Sequence, residues 1–175
     1  YGKEEILKKL PNQNHEFLEG QYPYTLNPGG PNHEELSSLI GIFEYFDKLY
    51  YHHFEDDIKS IREKIVKINK IMSKHEEEIG NQLLDYINSR NDFNLIGRKK
   101  IINKDRAPTI SFTVQNKSSK YVSDVLISNN IGTRNDNFYS WRCLKALGID
   151  FDDGVVRLSM VHYNSRKDVE KAISA

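Results

Sequence analysis

Arg157 stands where an arginine is hardest to keep. It interrupts the apolar run Val155, Val156, Leu158, Met160 and Val161, which is bounded by Asp152-Asp153-Gly154 and Asn164-Ser165. That pattern is a strand buried on at least one face. A guanidinium cannot lose its charge, so it needs an anion or an edge position there. Two readings stay open from the strand alone. Arg157 pairs with a protein carboxylate or sits at the strand edge, or it is held to grip a substrate carboxylate with two parallel hydrogen bonds. Cys143 is the single cysteine and lies beside Trp141 and Leu144, a setting that reads as a small core residue rather than a nucleophile. His52-His53 with Glu55, Asp56 and Asp57 could suggest a metal. Adjacent histidines do not share a helix face, so the group reads as solvated surface and no metal site is assigned.

The elements that must position Arg157 follow from periodicity. Glu4 to Leu10 forms short helical turns stopped at Pro11, and residues 12 to 31 form a loop carrying Pro23, Pro28, Gly29, Gly30 and Pro31. A loop of that length is usually functional or wrapped around a partner. Asn32 caps a helix with Glu35 at the capping-box position, and Leu36, Leu39, Ile40, Phe43, Phe46, Leu49 and Tyr50 recur along it. A second helix is expected from Asp56 and Asp57 to about Asn88–Asn91, with Ile58, Ile61, Ile65, Ile68, Met72, Ile79 and Leu83 on its stripe. Strands are expected over Phe93–Ile102, Ala107–Val114, Ile131–Arg134 and around Arg157. Helices are expected from Ser118 or Ser119 to Ile127, from Phe138 to Leu147 closed by Gly148, and from Ser165 to Ile173. The result is an α/β chain with a ββαβαβα small domain. Residues 1–92 are expected to form the tail of a large domain plus long connecting helices, and 93–175 the C-terminal small α/β domain.

With 175 residues, the chain holds one ordinary core or one and a half domains. The 25 basic and 25 acidic residues cancel, so no global field argues for nucleic acid or a membrane. The ten tyrosines are not interleaved with a basic stripe. No apolar run reaches the ~20 residues of a membrane span. One cysteine excludes an intramolecular disulfide framework and fits a reducing compartment, hence a cytoplasmic protein. The sequence opens on Tyr1-Gly2-Lys3, which reads as the tail of a longer chain.

Gly154-Val-Val-Arg-Leu-Ser-Met-Val-His-Tyr-Asn-Ser165, followed by Asp168-Val169, resembles the C-terminal signature of class V aminotransferases and cysteine desulfurases. These are fold-type I pyridoxal-phosphate enzymes. Arg106-Ala-Pro-Thr-Ile-Ser-Phe112 is similar to the R-x-P-T-x-S-F strand of that family. Pro28-Gly29-Gly30-Pro31-Asn32-His33-Glu34 is similar to its G-T-x-N-x-E turn, and Ile131-Gly-Thr-Arg134 to the I-x-x-R segment that opens the catalytic loop. His75-Glu76 fits a helix that precedes the small domain, and Tyr1 to Leu7 resembles the segment after the cofactor lysine.

The resemblance implies roles. Arg157 would bind the α-carboxylate of an amino-acid substrate, and Arg134 would face the same site from the same side. Gly29 and the backbone N–H of Gly30 would reach the cofactor phosphate of a neighbouring subunit in a homodimer, although Gly30 replaces the usual Thr. The nucleophilic cysteine of desulfurases has no counterpart in Asn135-Asp136-Asn137-Phe138-Tyr139. The Schiff-base lysine, the aspartate that pairs with the pyridine nitrogen and the stacking aromatic have none either. No catalytic residue is therefore assigned. The complete enzyme would use pyridoxal phosphate; this chain alone is expected to hold none covalently and to be inactive. The competing expectation is a non-catalytic α/β interaction module derived from the same family.

Overall fold

The computed structural model describes residues 2–27, 29–102 and 105–175. Tyr1 and Pro28, which open two of the motifs above, lie outside the described residues. The chain separates into two compact units, one ending at Ile61 and one running Arg62–Ala175.

The first unit contains α1 (Glu4–Leu7) and α2 (His33–His53), with two short 3₁₀ turns at Glu16–Leu18 and Tyr22–Tyr24 between them. The intervening loop is tied to itself. The Asn14 side-chain amide donates to the carbonyls of Tyr24 and Asn27 at 3.0 and 2.6 Å, and Gln13 N–H donates to Thr25 O at 2.8 Å. Asn32 caps α2 as expected, its side chain accepting from Glu35 N–H at 3.1 Å. The helical pattern expected from Asp56 begins later. Tyr50 Oη donates to Asp56 at 2.6 Å and Tyr51 Oη to Asp57 at 3.3 Å. Those carboxylates are thus turned back onto α2, and the next helix starts at Ile61.

The second unit contains α3 (Ile61–Ser89), β1 (Phe93–Ile96), β2 (Thr109–Val114), α4 (Ser119–Ser128), β3 (Arg134–Asp136), α5 (Trp141–Ala146), β4 (Val155–Ser159) and α6 (Arg166–Ser174). From β1 onward this is the expected ββαβαβα order. The sheet runs β1-β2-β4-β3 with every neighbouring pair antiparallel. Alternation sends Ile110 and Phe112 of β2, and Val156 and Leu158 of β4, to one face. There they form one core with Ile79, Leu83, Leu84 and Ile87 of α3, Leu126 of α4 and Val169 of α6. Each such buried side chain contributes roughly 1.5–3 kcal/mol by leaving water. The other sheet face carries Ser111, Arg157 and Arg134.

In this unit three further boundaries differ from the periodicity by three residues or more. β1 stops at Ile96 rather than running to residue 102, because Gly97 turns the chain at φ +101°. β3 begins at Arg134 rather than Ile131. Asn130 adopts φ +57°, Asn130 N–H bonds Ile127 O at 2.9 Å, and Ile131 N–H bonds Leu126 O at 3.0 Å. Residues 130 and 131 are thus spent closing α4 in a Schellman motif. Gly148 closes α5 in the same way, with Ile149 N–H on Leu144 O at 2.9 Å. The start of α5 is Trp141, not Phe138, because Phe138 and Tyr139 both take left-handed backbone angles, φ +50° and +59°.

The start of α6 carries a full capping box. Ser165 Oγ accepts from Asp168 N–H at 3.3 Å, and Ser165 N–H donates to the Asp168 carboxylate at 2.7 Å. Ser165→Ala is expected to cost about 1 kcal/mol, read as a lower thermal midpoint. The bonds from the Ser165 backbone and hydroxyl hold the Asp168 carboxyl below the usual carboxylate range. A depressed carboxylate stabilises fully above its unfolded pKa and loses that contribution as pH falls through the folded value. The midpoint gap between the protein and Asp168→Ala should therefore be widest at neutral pH and close on acidification.

Candidate substrate-carboxylate site

The open face of the sheet is assembled by register. Ser111 of β2 lies opposite Arg157 of β4, and Arg134 of β3 lies opposite Arg157 on its other side. Directly opposed residues of antiparallel strands project from the same face. Arg134 and Arg157 therefore stand side by side, as expected. Two like charges in that relation repel unless an anion lies between them. Neither arginine has a carboxylate within 4.0 Å among the described residues. The Arg157 partner that the strand pattern demands is thus not an acid of this unit.

What Arg157 meets instead is an aromatic ring. Its Cζ lies 4.0 Å from the centre of the Phe138 ring. That is van der Waals contact with a π face, the geometry of a cation–π pair. Both residues are half-buried, whereas Arg134 is exposed. Nothing in the periodicity pointed to Phe138. The one available signal was Asn137, whose Oδ1 accepts from Tyr139 N–H at 2.9 Å and whose Nδ2 donates to Phe151 O at 3.3 Å.

β3 is pinned against β4 from below. Gly154 takes φ +74°, and a Cβ there would lie 2.3 Å from the carbonyl carbon of Asp136 and 2.7 Å from Asn137 N. Only glycine permits that approach. The preceding Asp153 carboxylate accepts from Ser119 N–H at 2.9 and 3.0 Å, where the positive end of α4 favours an anion. Asn135 Nδ2 donates to Ser119 Oγ at 3.1 Å, and Thr133 Oγ1 donates to Arg157 O at 3.1 Å. These bonds fix the β3–β4 pair that carries both arginines. On the α3 side, His75 Nε2 and Asn164 O are 2.7 Å apart, and Arg166 donates to Glu78 at 2.8 Å.

The remaining candidates fall elsewhere. Gly29 and Gly30 lie in the first unit, both exposed, and a Cβ on either would meet nothing within 4 Å. Among the described residues of this one chain, nothing closes around them into a cradle for the phosphate of pyridoxal phosphate. Cys143 is exposed on α5, not in the core as its neighbours suggested. Its neighbour Trp141 stacks on Phe151, with ring centres 4.9 Å apart and planes at 27°. Among the described residues no group of His, Cys, Asp and Glu could hold a metal, and no helix is long and apolar enough to cross a membrane.

The chain is 35% identical over 106 residues to the aminotransferase-like protein FGM3 of Gibberella zeae, a match covering 59% of this chain and 26% of that protein. It thus spans about a quarter of that curated relative. Cysteine desulfurase CsdA of Escherichia coli superposes with a TM-score of 0.67 at 18% identity, covering 99% of this chain and 40% of that one. A cysteine desulfurase of Thermococcus onnurineus gives 0.55 at 23% identity, covering 65% and 27%. At those identities the likeness speaks for the fold alone. The class-V aminotransferase family model matches residues 63–172, the segment that carries both arginines and the whole sheet. The chain belongs to the class V aminotransferase family.

Proposed function

We propose that this chain supplies the substrate-carboxylate end of the active site in a pyridoxal-phosphate-dependent class V aminotransferase or desulfurase-like enzyme. Arg157 binds the α-carboxylate of an amino acid, and Arg134 completes the cationic pair. The observation that carries this is the register of Arg134 opposite Arg157 on the open sheet face, with neither bound to a protein carboxylate among the described residues. Pyridoxal phosphate supplies the electron sink in complete enzymes of the family. The residues of this chain bind and orient the substrate at its carboxylate. In this reading residues 93–175 act as the small domain, and α3 braces it from the side of the core.

The same proposal includes a homodimer and a cytoplasmic, reducing location, the latter suited to an exposed free thiol at Cys143. The exposed faces of Leu36, Leu39, Ile40 and Phe43 on α2 favour self-association. Sedimentation at rising concentration should show a dimer, and a monomer throughout would remove that part.

The site itself is tested by titrating the ¹⁵N-labelled chain with L-alanine at fixed ionic strength. Saturable shifts should appear at the amides of Ser111, Arg134 and Arg157, and should vanish in Arg157→Ala. Shifts that persist in Arg157→Ala would refute the assignment.

A further inference from the structure

We infer that Phe138 is a positioning residue for the carboxylate-binding guanidinium, stacking on one face of Arg157 so that its hydrogen-bonding edge is held toward the ligand. This rests on the reading of Arg157 as the carboxylate ligand. The Phe138 ring centre lies 4.0 Å from Arg157 Cζ. At that distance the ring is in contact with the cation and shields that side of it from solvent. A stacked guanidinium keeps its in-plane N–H groups free, and those are the donors a carboxylate needs.

The loop is built to put the ring there. Phe138 and Tyr139 are consecutive non-glycine residues with positive φ, +50° and +59°. Such conformations persist when their surroundings over-determine them. Asn137 does so here. Its side chain bonds Tyr139 N–H on one side and Phe151 O on the other, while its carbonyl accepts from Ser140 N–H at 2.8 Å. Tyr139, next in the chain, is fully exposed. The turn therefore sends one of two adjacent aromatics onto the arginine and the other into solvent. An aromatic placed merely to fill space would be expected on the core face, which Phe138 does not join.

The test uses the full chain and four variants: Phe138→Ala, Phe138→Leu, Phe138→Trp and Arg157→Ala. Two quantities are read, the L-alanine dissociation constant and the chemical shifts of the Arg157 Hε and δ protons. A ring at 4.0 Å must shift those protons upfield by its ring current. The shift should be present in the parent and in Phe138→Trp, and lost in Phe138→Ala and Phe138→Leu. Binding should weaken about threefold to tenfold in the Ala and Leu variants and be retained in Trp, following the range of cation–π strengths. Leucine keeps apolar bulk without the quadrupole, so parent-like binding in Phe138→Leu overturns the cation–π account. Parent-like binding in Phe138→Ala, with binding weakened about tenfold or more in Arg157→Ala, overturns the role of Phe138 alone. Unchanged binding in Arg157→Ala overturns the carboxylate reading, and the role of Phe138 with it.

Discussion

Gly154→Ala is expected to lower the thermal midpoint by about 6–12 °C, from a loss of about 3 kcal/mol in a chain of this size. Two costs add. A left-handed backbone at an L-residue other than glycine costs roughly 1–2 kcal/mol, and Gly154 sits at φ +74°. The new methyl would then lie 2.3 and 2.4 Å from the carbonyl carbon and oxygen of Asp136. Those atoms are backbone of β3 and cannot rotate aside, so β3 must move or the Asp153-Gly154 turn must open. Forcing atoms into packed space costs about 1–3 kcal/mol. The measurement is thermal unfolding followed by circular dichroism. An Ala variant with parental stability would show that β3 is not pressed against that turn. Because β3 carries Arg134, the variant should also lose the amide shift of Arg134 on L-alanine titration.

Arg157→Ala should weaken carboxylate binding by between about tenfold and a hundredfold, since a hydrogen bond to a charged group is worth roughly 1.5–3 kcal/mol. Arg157→Lys should fall between parent and Ala. Lysine keeps the charge but presents a point ammonium instead of a planar fork, so only part of a bidentate pair survives. The ordering Arg, Lys, Ala separates geometric recognition from simple charge attraction. If Lys bound as well as Arg, the fork would not be the recognising element. Stability should move little, because the Arg157 side chain leaves the sheet on the face away from the core cluster.

The order of elements was legible because periodicity decides it. The apolar stripes of α3 and the alternation of β2 exist in the sequence before any tertiary contact forms. The charge anomaly at Arg157 was legible for the same reason. The arrangement of its neighbours was not. Placing Arg134 in register required knowing that Asn130 and Ile131 close α4, which moves β3 three residues along the chain. Asparagine tolerates φ > 0, but whether it ends a helix there depends on the hydrogen bonds finally made. Phe138 was hidden further. Aromatic residues rarely adopt positive φ, so a run of Phe, Tyr, Ser and Trp reads as a helix start rather than as a turn that aims a ring. Cys143 was misplaced because neighbouring apolar residues imply burial only if they face inward, and α5 turns that side to solvent.

The carboxylate assignment stands most directly on one comparison, the titration of the ¹⁵N-labelled chain with L-alanine and with L-alaninamide at equal ionic strength. The two ligands differ only in whether the α-carbon bears a carboxylate or a neutral amide. A single Arg–carboxylate pair gives dissociation constants of about 10–100 mM, within reach of chemical-shift mapping. Saturable shifts are expected at Ser111, Arg134 and Arg157 with L-alanine, and none at those amides with L-alaninamide. Equal shifts from both ligands, or shifts from L-alanine confined to residues away from the β2–β4–β3 face, would contradict the assignment.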